Sequence, residues 1–302
     1  MLRLNEIRRI ADRNGARDIS KVEIDVVLTY LLQLFSEKGL TEHLAFKGGT
    51  LLRKMVFGPI GRLSTDLDFT RRTSIALDDL VLEFMGAFER EYRGLSFDIH
   101  EDNGWYVSTD GGGINPVCRH QDNLKGVKVK IQVSTREVPV LTVRALPQLS
   151  HEYFKQLDFY PVPIPSLAIE EVIAEKIRAA HQRSKIRDLH DLAQIAERPF
   201  DRARVRGLAT LKLWASQGAG IDYSRLCSRI DGEGDYDLDD LVNLLRKDQR
   251  PALPALIQRV KAGYRFLAEL SAEERALAQD AVGKLQKEAG ALRAKILSSA
   301  ES

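Results

Sequence analysis

The spacing of apolar and polar residues changes character along the chain, and the change divides it. Near the start, apolar residues recur every three to four positions and predict helices over 4–13 and 21–37. In the second helix Val22, Val26, Val27, Tyr30, Leu31 and Phe35 share a face. Short runs of period two come next. Residues 44–47 (LAFK) and 67–70 (LDFT) read as strands. Gly48-Gly49 turns the chain between them, and Thr50 is placed to cap a helix running to about position 56. A helix is expected over 77–92. The stretches at 95–100 (LSFDIH) and 127–134 (VKVKIQVS) alternate strictly and read as strands, and Gly111-Gly112-Gly113 between them reads as a flexible loop. At Pro161, Pro163 and Pro165 the pattern breaks, because proline forbids helix and favours an extended connector. Beyond Ser166 helical spacing dominates: 167–182, 189–196, 202–215, 238–246, 255–270 and a last helix from Ala272, opened by a capping box of Ser271 and Glu274. The stretch 232–237 (GEGDYD) reads as a loop. The expected organisation is an α/β domain over 1–160 and a helical domain over 166–302.

Composition narrows the class. The 302 residues are 44% hydrophobic and 29% charged, as in an ordinary soluble globular protein. A net charge of +2 means that any basic patch must be local. Cys118 and Cys227 lie far apart without a CxxC partner, which fits a reducing cytosol and argues against a thiolate zinc site. No apolar run approaches the roughly 20 residues of a membrane span, and the first residues lack the apolar core of a signal peptide. A cytoplasmic protein without a membrane partner is expected. Its 6 histidines show neither HxxxH nor HExxH spacing, and no GxSxG occurs, so zinc, serine-nucleophile and cysteine-nucleophile chemistry find no support.

Chemistry concentrates between Lys47 and Asp68. Residues two apart on a strand point the same way, so Asp66 and Asp68 share a face while Leu67 and Phe69 face a core. Two close carboxylates raise each other's pKa unless a cation joins them, so a shared divalent ion is the economical account; a solvated polar strand face is the plain alternative. The turn after Lys47, formed by Gly48, Gly49 and Thr50, puts free backbone N–H groups where a phosphate can sit, although many ordinary strand–turn–helix units also carry glycines. The P-loop spacing is absent. Arg62 and Ser64 precede the acids and are placed to donate to a triphosphate, or are ordinary loop residues. The turn and the acidic pair within one strand–helix–strand unit point to nucleotidyl transfer, where a metal neutralises phosphate charge and orients oxygens for in-line attack.

A second group lies in the helical half. Along 167–182 the apolar stripe is Ile169, Val172, Ile173, Ile177 and Ala180, and Lys176 falls inside it, with Arg183 on the same line. Such a lysine either faces a cleft holding anions or snorkels out of the core edge. The phase breaks near Ser184, which is placed to cap the next helix. Arg187, Asp188 and Asp191 then lie on its first turns. One of the aspartates would fix Lys176 or bind the acceptor; an Arg–Asp pair at a helix start is the alternative. Lys176, Arg178, Arg183, Lys185 and Arg187 form a basic strip suited to an RNA backbone or, more simply, to water.

Taken together, KGGTLLRK, RLSTDLDF and IEEVIAEKIRAAHQRSKIRDLHDL resemble the nucleotidyltransferase toxins of the AbiEii family, the toxin halves of type IV toxin–antitoxin and abortive-infection pairs, which include the mycobacterial MenT toxins. The likeness covers about residues 40–195. It implies an α+β fold, a polymerase-β-like nucleotidyltransferase domain with a mixed sheet followed by a helical domain. It also implies transfer of a nucleoside monophosphate from an NTP, with release of pyrophosphate, to an RNA acceptor that is a tRNA 3′ end in characterised relatives. The alternatives are a protein or small-molecule acceptor, or a non-catalytic nucleotide- or RNA-binding protein. The family's first motif falls on Gly48, Gly49, Thr50, Asp66 and Asp68, its lysine on Lys176, and its later aspartate on Asp191, with Asp188 competing. A nearby-encoded antitoxin with a winged-helix domain is the implied partner, in an arrangement that does not require stable binding. The wider fold usually supplies a third carboxylate from a neighbouring strand, whereas 127–134 offers Lys128, Lys130, Gln132 and Ser134. One Mg²⁺ is therefore expected rather than two.

Overall fold

A computed structural model of the protein describes residues 1–217, 220–232, 236–280 and 282–298. The chain divides into two units. The first comprises Met1–Pro139, Val143–Leu167 and Val242–Arg250; the second comprises Val140–Thr142, Ala168–Leu241 and Pro251–Ser302.

The first unit opens with α1 (Leu4–Arg13), which buries Ile7, Ile10 and Ala11. Helix α2 (Ile19–Glu37) starts at Asp18, whose carboxylate accepts the Ser20 N–H at 2.8 Å. It is apolar on nearly every side and correspondingly buried along its length. Strand β1 (Leu44–Lys47) leads into α3 (Gly48–Leu51), which continues as a π-helical segment through Leu52–Phe57. Then come β2 (Asp66–Arg71) and α4 (Leu77–Phe88). Eight further strands complete the unit: β3 (Ser96–Asp98), β4 (Trp105–Ser108), β5 (Gly111–Ile114), β6 (Val117–His120), β7 (Asn123–Lys128), β8 (Lys130–Ser134), β9 (Arg144–Leu146) and β10 (Ile164–Ser166). They form a seven-stranded sheet of order β4-β5-β8-β2-β1-β10-β9 and a three-stranded sheet of order β3-β6-β7. The larger sheet is mixed: β2 runs parallel to β8 and β1 to β10, while β1 and β2 are antiparallel. Phe46 pairs with Phe69 across the β1–β2 hairpin. Their rings, 5.3 Å apart, join Phe35 of α2, itself 5.1 Å from Phe84 of α4, to make an aromatic core on that face. The opposite face of β1 and β2 carries Lys47, Asp66, Asp68 and Thr70.

A buried ionic cluster fastens the segment after the glycine turn to α2. Lys54, with no exposed surface, donates to the Asp25 carbonyl at 2.9 Å and to the Thr29 hydroxyl at 3.0 Å, and its ammonium lies 2.9 Å from Asp25 Oδ1. Tyr153 Oη reaches Asp25 Oδ2 at 3.1 Å. Arg53 donates to the carbonyls of Gly58 and Gly61 at 2.8 and 2.7 Å. Burial opposes ionisation of Asp25, but Lys54 and Arg53 outweigh it and hold the carboxyl well below the usual range. Burial pushes the Lys54 ammonium down to about 8 despite Asp25.

Several local expectations need correction. Gly111–Gly113 is no loop but part of β5, paired to β4 and β8. The stretch 127–134 is two strands, because Val129 turns its N–H to the Pro116 carbonyl. Helix α4 stops at Phe88; beyond it Arg93 and Gly94 take positive φ and fold a turn in which Tyr92 pairs with Leu95. Thr50 does not cap its helix. Lys47 occupies that position, and the Thr50 hydroxyl donates to the Asp66 carbonyl instead. Of the helix expected over 238–246 only α9 (Asp239–Val242) forms. Backbone bonds from Leu63 N–H to Leu244 O and from Lys247 N–H to Gly15 O, 2.8 and 2.7 Å, draw the chain beyond it into the first unit.

The second unit is helical: α5 (Ile169–Gln182), α6 (Ile186–Ile195), α7 (Arg202–Gln217), α8 (Tyr223–Gly232), most of α9, α10 (Leu253–Gly263), α11 (Ala272–Gln279) and α12 (Gln286–Ser298). Glu171 of α5 accepts the N–H groups of Val140 and Leu141 and pairs with the buried Lys212 of α7 at 3.0 Å, which explains why 140–142 belong to this unit. Lys185, not Ser184, precedes α6 as its cap residue. The Ser271–Glu274 capping box is present. The expected last helix is two, with Asp280 between them accepting the Leu285 N–H. Residues 233–235 of the expected 232–237 loop lie outside the described residues.

Candidate active site

The β1–β2 hairpin fixes the acidic pair. Lys47 stands opposite Asp68 in the antiparallel register, so both lie on the face turned away from the aromatic core, and Asp66 joins them by period two. Strand β8 extends this face, with Lys130 beside Asp66 and Gln132 beside Asp68. Both aspartates are half-buried. Lys130 is exposed and has no ion pair among the described residues.

The glycines are explained by what approaches them. Gly48 has φ +80°, and a Cβ there would lie 2.3 Å from Asp68 Oδ2, so the carboxylate rests directly against the turn. A Cβ at Gly49 would lie 2.5 Å from Arg62 Nη2 and 3.3 Å from Ser64 Oγ. Arg62 and Ser64 are each only 6% exposed and wall the turn more than they overhang it. Their loop is braced by the two Arg53 bonds and by Leu63. Gly48, Gly49, Arg62, Ser64 and Asp68 are thus brought together within the first unit.

The donor set suits a hard cation. No group of three or more His, Cys, Asp or Glu placed to hold a metal ion occurs among the described residues. Two carboxylates on one face nevertheless fit Mg²⁺, which keeps several waters and takes the rest of its shell from substrate phosphates. Where a third carboxylate would stand on β8 there is Gln132, whose amide donates to Tyr106 Oη at 2.9 Å.

In the second unit Lys176 is buried within the apolar stripe of α5. Its ammonium binds Asp188 Oδ1 and Asp191 Oδ2, each at 2.8 Å. Both competing aspartates therefore hold the same lysine. Arg183 Nε adds a bond to Asp188 Oδ2 at 2.9 Å. Burial opposes ionisation of Asp188, but Lys176 and Arg183 prevail and lower its pKa. Arg187 is paired with Asp240 at 3.0 Å, and Arg178 with Glu175 at 3.7 Å, so much of the basic strip is neutralised locally; Lys185 is exposed.

Tyr106 and Lys130 were not singled out by their sequence. Tyr106 carries one available sign: Asp110-Gly111 following the alternating WYVS is a hairpin signature. Nothing in the spacing of Lys130 separates it from a solvated strand residue.

A family model described as nucleotidyl transferase AbiEii toxin, type IV TA system, matches residues 29–280. No curated protein matches the chain. Among solved structures the chain is similar to MenT4, a nucleotidyltransferase toxin of Mycobacterium tuberculosis, with 26% identity over 98% of this chain and 100% of that one and a TM-score of 0.79. It is also matched to JHP933 of Helicobacter pylori, at 21% identity over 87% of this chain and 95% of that one; there the TM-score of 0.47 is too low to bear on function. The mixed sheet with its helices, shared with MenT4, is an α+β fold of the polymerase-β-like nucleotidyltransferase kind.

Proposed function

The chain belongs to the AbiEii family of type IV nucleotidyltransferase toxins, and from that premise we propose that it transfers a nucleoside monophosphate from an NTP to the 3′ end of an RNA, a tRNA being the acceptor. The observation that supports this best is the approach of Asp68 to Gly48 and of Arg62 and Ser64 to Gly49, which sets an acid of the DxD pair directly against the glycine turn. Asp66 and Asp68 would hold one Mg²⁺, which supplies charge neutralisation and alignment at the phosphates. The backbone N–H groups of Gly48–Thr50 receive the β and γ phosphates, with Lys47, Ser64 and Arg62 as the donors around them. The acceptor hydroxyl attacks the α-phosphorus; its P–O bond forms as the bond to the bridging α–β oxygen breaks, and pyrophosphate departs. Asp68 takes the hydroxyl proton. Asp191 is the poorer base, since its side chain is 2% exposed and committed to Lys176. Lys176 is retained in this reading at the position of the family's lysine, its ammonium held by Asp188 and Asp191. The two-domain division at about 160–166 is retained as part of this reading, and so are Arg183, Lys185 and Arg187 as weak RNA contacts. A cognate antitoxin encoded nearby completes the system without a need for stable binding.

Incubation with each labelled NTP and Mg²⁺, first with total tRNA and then with total protein, tests the acceptor. Labelled tRNA is expected. Label on protein alone would move the acceptor to a side chain, and metal-dependent NTP binding without product would favour a non-catalytic binder.

A further inference from the structure

The strand registers place five residues in one row across the sheet. Tyr106 on β4 pairs with Gly113 on β5, Gly113 with Gln132 on β8, Gln132 with Asp68 on β2, and Asp68 with Lys47 on β1. Register partners share a face, so the whole row lies on the face of the acidic pair. Gly113 is the gap in it. A Cβ there would come within 2.5 Å of the Ile131 carbonyl oxygen and 2.8 Å of Tyr106 Cε1, so the ring passes over a position that admits no side chain. Across that gap Tyr106 Oη accepts from Gln132 Nε2 at 2.9 Å. That bond uses one of the two Gln132 N–H donors and leaves the amide carbonyl oxygen, a pure acceptor that suits a cation.

We propose that Tyr106, lodged over Gly113, is a positioning residue that fixes the Gln132 amide so that its carbonyl oxygen serves as a neutral third ligand for the metal of Asp66 and Asp68. The idea rests on the nucleotidyltransferase reading and deepens it. It assigns a purpose to Gly113 of strand β5 and to an amide standing where the wider fold carries an acid. Neither residue is deeply buried, so the bond is not there to satisfy a buried polar group. A tyrosine that orients a ligand belongs to the outer hydrogen-bonding layer that tunes metal affinity.

The test is Mn²⁺ binding to the full chain, measured by electron paramagnetic resonance in the presence of a non-hydrolysable NTP analogue. Gln132→Ala and Tyr106→Phe should each weaken Mn²⁺ binding, by about 10-fold. The double variant should bind no more weakly than Gln132→Ala alone, because Tyr106 acts only through Gln132. Gln132→Glu should bind more tightly than the wild type. Retention of the wild-type melting temperature shows that Tyr106→Phe is folded. Wild-type affinity in Tyr106→Phe, or losses that simply add in the double variant, would overturn the proposal. If the wild type binds Mn²⁺ as expected but labels no acceptor, the transfer reading fails while the role of Tyr106 and Gln132 in metal binding stands. A wild type that binds no Mn²⁺ overturns both.

Discussion

At the scale of single residues, Gly48 is the most constrained position of the site. Its φ of +80° and the 2.3 Å approach of Asp68 Oδ2 to its missing Cβ are two separate reasons against a side chain. Gly48→Ala should therefore cost about 1–3 kcal/mol of stability and displace the carboxylate, lowering activity by at least about 100-fold, the scale of loss that a small misplacement near the chemistry produces. Denaturant melts and initial rates on the same preparation check it; a fully active Gly48→Ala would remove the turn from the site. The same residues show what a sequence discloses. Asp66 and Asp68 were readable because period two puts alternate residues on one face and Leu67 and Phe69 demand the other. The approach of Asp68 to Gly48 was not, since it depends on the register Lys47–Asp68.

Among the elements, the helical segment after the turn depends on burying Arg53 and Lys54 against α2. An ion pair taken out of water is costly to break from one side only. Lys54→Met leaves Asp25 charged and almost fully buried, and should destabilise the fold by about 3–5 kcal/mol. The double replacement Lys54→Met with Asp25→Leu should cost less than the single one. Equilibrium denaturation of the three chains decides it, and a double variant worse than the single would mean that the ion pair is itself a large net stabiliser. None of this cluster was legible, because Asp25, Thr29 and Tyr153 are brought to Lys54 by tertiary packing. Strand β5 was missed for another reason: glycine carries no hydrophobic pattern, and its pairing is set by β8 and by the space Tyr106 needs.

For the molecule as a whole, acid is the condition most apt to expose how charge is stored. Burial, then Lys54, pushes His151 down to about 3, and burial, then Arg225, pushes His181 down to about 4. Unfolded, both take a proton near 6.5. Between pH 6.5 and about 4 the unfolded chain thus binds more protons than the folded one, and stability falls as pH falls. Each histidine adds up to about 1.4 kcal/mol per pH unit, so a loss on the order of 2–4 kcal/mol is expected between pH 7 and pH 5. The Asp25 and Asp188 carboxyls, held low, begin to cost stability only below the ordinary aspartate range. Denaturant midpoints across this range check the slope, and a flat profile would contradict it. At this scale the broad order of an α/β region before a helical one was visible in the change of periodicity. The return of Val242–Arg250 to the first unit was not, because backbone bonds to Leu63 and Gly15 decide it.

The central claim is that Asp66 and Asp68 serve transfer of the α-phosphoryl group with its nucleoside. Parallel reactions with α-labelled and γ-labelled NTP, using the wild type and Asp68→Ala, test it most directly. The account predicts α-label on the RNA, γ-label in free pyrophosphate, and neither product from an Asp68→Ala chain that melts like the wild type. Label from the γ position on the acceptor, or an active Asp68→Ala, would contradict it.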